Sequence, residues 1–175
     1  MPTPDRTSLA EIVDAGRAVL EDGGLSRLTM QSVAERVGVR APSLYKRIRD
    51  RDALIDAVVA ATIDDLTDRL EASDRSLEGL ASAYRAFAHE RPEGFRLIFA
   101  TRQPQTALDR ASVAILDTAR GLVGEDRSLE AARLVTAWAT GFVQMELAGA
   151  FQLGGDLDDA FAFGVAALRR GLESV

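Results

Sequence analysis

The chain has 175 residues, 47% of them hydrophobic, a formal net charge of −6 and a mean hydropathy near zero, enough for one or two small domains with a real core. No apolar run approaches the ~18 residues needed to cross a bilayer, and the opening Met-Pro-Thr-Pro-Asp-Arg lacks the apolar core of a secretion signal, so a cytoplasmic protein is expected. With no cysteine and one histidine, His89, disulfides, thiolate chemistry and multi-histidine metal sites are excluded.

In chain order the sequence reads as helices separated by short polar breaks, without the sustained alternation or hairpin turns of strands. Ser8 and Glu11 form a capping box for a first helix to about Glu21, ended by Gly23 and Gly24. Its apolar face is Leu9, Ile12, Val13, Val19 and Leu20. Thr29 is placed to cap a second helix, 30–37, whose Met30, Val33, Ala34 and Val37 make one stripe. Gly38 falls where that helix must end in left-handed backbone, which a residue without Cβ adopts at little cost. Val39 plugs the corner.

A third helix starts at about Ala41, with Pro42 in the first turn, where a missing N–H is no loss. Leu44, Ile48 and part of Tyr45 face inward. Ser43, Lys46, Arg47 and the Tyr45 hydroxyl face outward. Asp50 caps a fourth helix to about Ala72, with Leu54, Val58, Ala61 and Leu66 inward. Residues 76–90 make a fifth helix, and Arg91, Pro92 and Glu93 restart the chain in a short sixth through Phe99. Residues 105–123 make a seventh and 128–152 an eighth. Gly154 and Gly155 break the chain, and Asp156 caps a ninth to about Leu172.

Between Leu28 and Arg51 lie six cations (Arg36, Arg40, Lys46, Arg47, Arg49, Arg51) and two acids (Glu35, Asp50), a net +4. Residues 1–51 carry +2 and the rest −8. Two short helices joined by a tight turn, the second flanked by cations, have the form of a helix-turn-helix reader of duplex DNA. A cationic tip on an acidic body docks by the tip, and phosphate contacts make such binding weaken as salt rises.

Over about residues 8–60 the chain resembles the N-terminal domain of the TetR family of transcriptional regulators. The matching positions are Thr29, Val33 and Ala34, Gly38 and Val39, Leu44 and Tyr45, Ile48, Arg51 and Leu54. The resemblance implies that Tyr45 hydrogen-bonds a phosphate and Lys46 holds the backbone nearby. It places Arg40, Ala41, Pro42 and Ser43 against base edges or phosphates, and gives Thr29 a cap and a phosphate contact. Arg51 keeps the charge of the family's usual Lys and is expected among the DNA contacts. Arg40 stands where the family often has Ser or Thr, so the usual cap of the third helix is missing; its guanidinium suits a phosphate or a guanine instead. Further on, Pro92–Phe99 looks like the family's short helix after a Pro. Gly141, Glu146 and Gly149 near Trp138 match a C-terminal subgroup, with Thr140 in the place of its His.

The expected fold is all-α: a helix-turn-helix DNA-binding domain over 1–50 and a helical ligand-binding and dimerisation domain over 51–175. Tyr84, Phe87, Phe95, Phe99, Trp138, Phe142 and Met145 are candidates to line a ligand pocket, with plain core burial the alternative for each. Gly141, Ala148, Gly149, Val165, Leu168 and Leu172 are candidates for a dimer face, with intrachain packing the alternative. His89 suits a ligand anchor or a helix end. Two-fold half-sites about 34–36 Å apart need two heads.

The expected function is a homodimeric regulator of double-stranded operator DNA, a repressor released by an apolar small molecule. The alternatives are a ligand-independent regulator and a helical interaction module that no longer binds DNA. No catalytic residue, metal or cofactor is expected. There is no glycine-rich phosphate loop and no carboxylate–histidine set, and the acid pairs Asp64–Asp65 and Asp158–Asp159 read as solvated faces or caps.

Overall fold

A computed structural model describes residues 7–101 and 105–175; the opening segment read for a leader lies outside them. Among the described residues the regular structure is helical throughout: α1 (Leu9–Arg27), α2 (Met30–Arg36), α3 (Ala41–Leu44), α4 (Arg51–Ala72), α5 (Leu77–Glu90), α6 (Pro92–Ala100), α7 (Gln105–Val123), a short 3₁₀ turn (Glu125–Arg127), α8 (Ser128–Leu147) and α9 (Leu157–Glu173).

Two compact units divide the chain. The first joins Met1–Asp65 to Arg91–Leu108, the second Leu66–Glu90 to Asp109–Val175. This division differs from a boundary at 50, because most of α4 and all of α6 group with the first three helices. The reason is packing. Ile12, Leu20, Leu28, Val33, Leu44, Leu54, Val58 and Ile63 are almost fully buried. At Gly16 a Cβ would stand 2.8 Å from Val58 Cγ2, so α1 lies against α4 at a distance only glycine permits.

The N-terminal caps follow the sequence. Ser8 and Glu11 form the reciprocal capping box of α1. Asp156 accepts from the N–H groups of Asp158 (2.6 Å) and Asp159 (3.3 Å) at the start of α9. Gly23 and Gly24 leave helical backbone (φ −165° and 70°), although one more turn carries on to Arg27. The eighth helix is shorter than periodicity indicates and stops at Leu147. Gly149 there takes φ +63°, and the N–H of Ala150 returns to the Met145 carbonyl at 2.9 Å, a left-handed helix end.

In the second unit α5, α8 and α9 pack together. Trp138 stacks on Phe161 (5.3 Å between centroids), and Phe142 meets Trp138 (5.6 Å), Phe161 (5.2 Å) and Phe151 (4.9 Å). Gly164 makes room for the indole: a Cβ there would lie 2.1 Å from Trp138 Cζ2. Gly164→Ala is expected to push the ring out of its stack and destabilise the fold by about 1–3 kcal/mol, the usual size of an overpacking penalty. Urea unfolding followed through Trp138, the single tryptophan, measures this; an unchanged midpoint would contradict it.

Candidate nucleic-acid interface

Each element of the turn has a local cause. Thr29 Oγ1 accepts from the Ser32 N–H, and Ser32 Oγ accepts from the Thr29 N–H, both at 3.1 Å. Ser32 Oγ also donates to the Arg27 carbonyl at 2.6 Å. Helix α2 is therefore capped reciprocally and tied to the end of α1. The sequence names Thr29 as the cap but does not single out Ser32, which stands where a capping box ordinarily has Glu or Gln.

Met30, Val33 and Ala34 are buried, whereas Val37 is half-buried because α2 has already ended at Arg36. Gly38 takes φ +74° with open space where a Cβ would stand. Backbone conformation rather than crowding therefore favours glycine there. The N–H of Val39 reaches back to the Ala34 carbonyl at 2.9 Å and closes the corner.

Arg40 precedes α3 in extended backbone and makes no side-chain cap. Helix α3 covers only Ala41–Leu44; Tyr45–Arg47 continue as turn. Leu44 is fully buried and Ile48 nearly so, which turns the opposite side outward. Arg40, Pro42, Ser43, Tyr45, Lys46 and Arg47 are exposed on that side, and Ala41 is half-buried. Tyr45 is 55% exposed despite its size.

The cations differ in availability. Arg36 pairs with Asp22 at 2.5 Å, and Arg49 with Asp50 at 2.7 Å. Asp50 also caps α4 by accepting from the Ala53 N–H at 2.8 Å. That bond, then Arg49, holds its carboxyl below the usual carboxylate range. Arg51, expected as a DNA contact, turns inward. Its Nε donates to the Leu28 carbonyl and its Nη2 to the Leu25 carbonyl, both at 2.8 Å. It binds the start of α4 to the end of α1.

Residues 12–58 match the family model described as bacterial regulatory proteins, tetR family. Residues 77–168 match the tetracyclin repressor-like C-terminal domain. The chain belongs to the TetR family of transcriptional regulators.

The HTH-type transcriptional regulator Rv0681 of Mycobacterium tuberculosis is 30% identical over 97% of this chain and 84% of its own length. The class A tetracycline repressor of Escherichia coli is 28% identical over 85% and 73%. A TetR variant from Acinetobacter baumannii AYE, crystallised with minocycline, superposes with a TM-score of 0.71 at 24% identity, covering 96% of this chain and 97% of that one. At that identity the likeness shows the fold. This TetR-family chain thus carries a helix-turn-helix DNA-binding domain followed by a helical C-terminal domain.

The residues considered for a pocket separate. Phe95 and Phe99 lie on α6 in the first unit; Phe95 is fully buried, and Phe99 packs edge-on against it at 5.3 Å. In the second unit Phe87 is fully buried, which makes it core, and Met145 is exposed. The Tyr84 hydroxyl bonds Thr140 Oγ1 at 2.7 Å, and burial pushes the phenol up to about 12.

Two depressions lie in the second unit. One, of about 660 Å³, runs along α8 and α9, lined by Leu134, Trp138, Phe142, Phe163, Leu168 and Leu172 among others. The other, of about 620 Å³, is lined by Ser82, Arg85, His89, Glu146, Asp158 and Phe161 among others. Sequence reading did not single out Arg85 for it. Arg85 meets both Glu146 oxygens (2.9 and 2.5 Å) and Asp158 (2.7 Å), and lies over the Phe161 ring. The Arg85 guanidinium, aided by His89 at 3.1 Å, holds the Glu146 carboxyl below the usual range.

Of the residues considered for a dimer face, Val165 and Leu172 are buried within the chain, Leu168 is half-buried, and Gly141, Ala148 and Gly149 are exposed. Gly149 serves the helix end described above. The larger exposed apolar side chains of α8 and α9, Leu134 (50%) and Phe163 (72%), escaped sequence reading. The apolar stripe of α9 is wide enough to face both inward and outward.

Arg51→Met keeps the apolar stem and removes both carbonyl bonds. Because hydrogen bonds to charged groups contribute about 1.5–3 kcal/mol each, Tm is expected to fall by several degrees in a calorimetric scan. An unchanged Tm would show that the two bonds do not hold the head together.

Proposed function

We propose that the chain is a homodimeric repressor whose two α3 segments enter successive major grooves of a palindromic operator, and that a small molecule with an apolar body releases it. The exposed, cation-flanked surface around α3, carried on buried Leu44 and Ile48, supports this most. In this reading Tyr45, Lys46 and Thr29 meet phosphates. Arg40, Ala41, Pro42 and Ser43 face bases or phosphates. Arg51 positions the head from within.

A second copy meets the apolar face of α8 and α9. Leu134 and Phe163 support that assignment, since large apolar side chains clustered in the open mark an interaction surface. One small head binds weakly, and a two-fold pair reads two half-sites.

The effector site is proposed in the second unit, in the cleft of Arg85, Glu146, His89 and Phe161. Its volume of about 620 Å³ falls in the usual range of small-molecule sites, roughly 300–1,000 Å³. Arg85, His89, Glu146 and Asp158 offer polar anchors, and Ala86, Leu157 and Phe161 the apolar part of the wall, for a drug-sized molecule such as the minocycline held by the Acinetobacter structure. Release requires that the effector bind the conformer that does not hold DNA better than the one that does.

Two measurements on the operator complex test the reading. Lys46→Ala is expected to weaken binding evenly across sequences and to lower the slope of log affinity against log salt by about 1. Arg51→Met is expected to leave that slope unchanged, and equal slopes for Lys46→Ala and wild type would remove Lys46 from the phosphate contacts. A panel of apolar compounds is expected to contain at least one that releases the operator; with none, the chain is a ligand-independent regulator.

A further inference from the structure

The first turn of α6 is capped from another helix. Its own cap position, Arg91, makes no side-chain cap, and Pro92 contributes no N–H. The next two donors are the N–H groups of Glu93 and Gly94, and they point at the two carboxylate oxygens of Glu21 on α1, at 3.1 and 2.8 Å. Gly94 permits this approach. A Cβ there would stand 3.0 Å from Glu21 Oε1 and 3.1 Å from Thr62 Cγ2 of α4. A carboxylate at a helix N-terminus gains both from the charge-assisted bonds and from the helix dipole.

The geometry points to Glu21 as a positioning residue that couples α6 to the DNA-binding head. Chain continuity explains why this matters. Glu90 ends α5 in the second unit, and Arg91 leads at once into α6 in the first. A shift of the first turn of α6 is a shift of the two N–H donors that Glu21 holds. Glu21 hands it to α1, whose last turn is tied to α2 by Ser32 Oγ on the Arg27 carbonyl and to α4 by Arg51 on the Leu25 carbonyl.

Coupling of this kind is reciprocal, so it is measurable without any effector. If the state of α6 alters DNA affinity, DNA must alter the state of α6. The inference rests on DNA binding by the head, and the experiment separates the two. The probe is a duplex recovered from a random library by the wild-type protein. Amide hydrogen exchange is then followed in α6, with α9 as the reference for a general change in stability.

In the wild type, bound duplex is expected to slow exchange at Glu93 and Gly94 by at least about fivefold, the lower end of ordinary couplings, with less change in α9. Glu21→Ala is expected to bind the duplex still, while α6 exchange no longer responds to it. Glu21→Gln keeps an acceptor oxygen and the side-chain size; it serves where the alanine variant does not fold, and a reduced response is expected. Exchange in α6 that ignores DNA in the wild type overturns the coupling. So does a response that both variants keep in full. Failure of the wild type to recover any duplex overturns the DNA-binding reading first, and the coupling with it.

Discussion

A helix of four residues has no stability of its own in water, because nucleation costs more than one or two backbone hydrogen bonds return. The segment Ala41–Leu44 is helical because Leu44 and Ile48 are buried beneath it. Everything that faces outward there, from Arg40 to Arg47, takes its direction from those two side chains. In the same compact unit, α1 and α4 pair closely at Gly16. The polar ties complete it: Ser32 on the Arg27 carbonyl, Arg51 on the carbonyls of Leu25 and Leu28, and the left-handed Gly38. These ties join the end of α1 to α2 and α4, so the turn is a stiff unit presented by a larger helix pair.

Charge adds what packing does not. The chain as a whole is acidic, and its cations gather around α3. Some of them are spent at home: Arg36 on Asp22, Arg49 on Asp50, Arg51 on main-chain carbonyls. A count of basic residues therefore overstates the charge offered to DNA, and the exposed positions around Tyr45 and Lys46 matter more than the sum. The acidic remainder of the chain disfavours a polyanion, in keeping with the proposed docking face around α3.

Much of this was legible in the sequence, and the reason is locality. Thr29, Asp156 and the Ser8–Glu11 pair are caps, each readable within four residues. Gly38 is readable because few other residues tolerate its backbone. Leu44 and Ile48 follow from helical spacing. The tight turn and its flanking cations carried the DNA-binding reading, and the TetR-family resemblance around Leu44 and Tyr45 added the roles of individual residues. What escaped depends on partners far along the chain. Arg51 looks like any cation until Leu25 and Leu28 are brought beneath it, and Glu21 looks like a solvated acid until α6 arrives. Periodicity found the apolar faces of α8 and α9 but could not say which part turns inward, so Val165 read as interface and Phe163 went unnoticed. The grouping of Phe95 with the head is of the same kind, set by tertiary packing that spacing does not record.

The central claim is that two such heads act together on duplex DNA, and the most direct test is selection of bound duplexes from a random library by the purified protein at two salt concentrations. The account predicts an enriched palindrome with half-sites about one helical turn apart, whose recovery drops at the higher salt. Enrichment of a single half-site would contradict the dimer. No enrichment at either salt would contradict DNA recognition by this chain and leave the helical C-terminal domain as its working part.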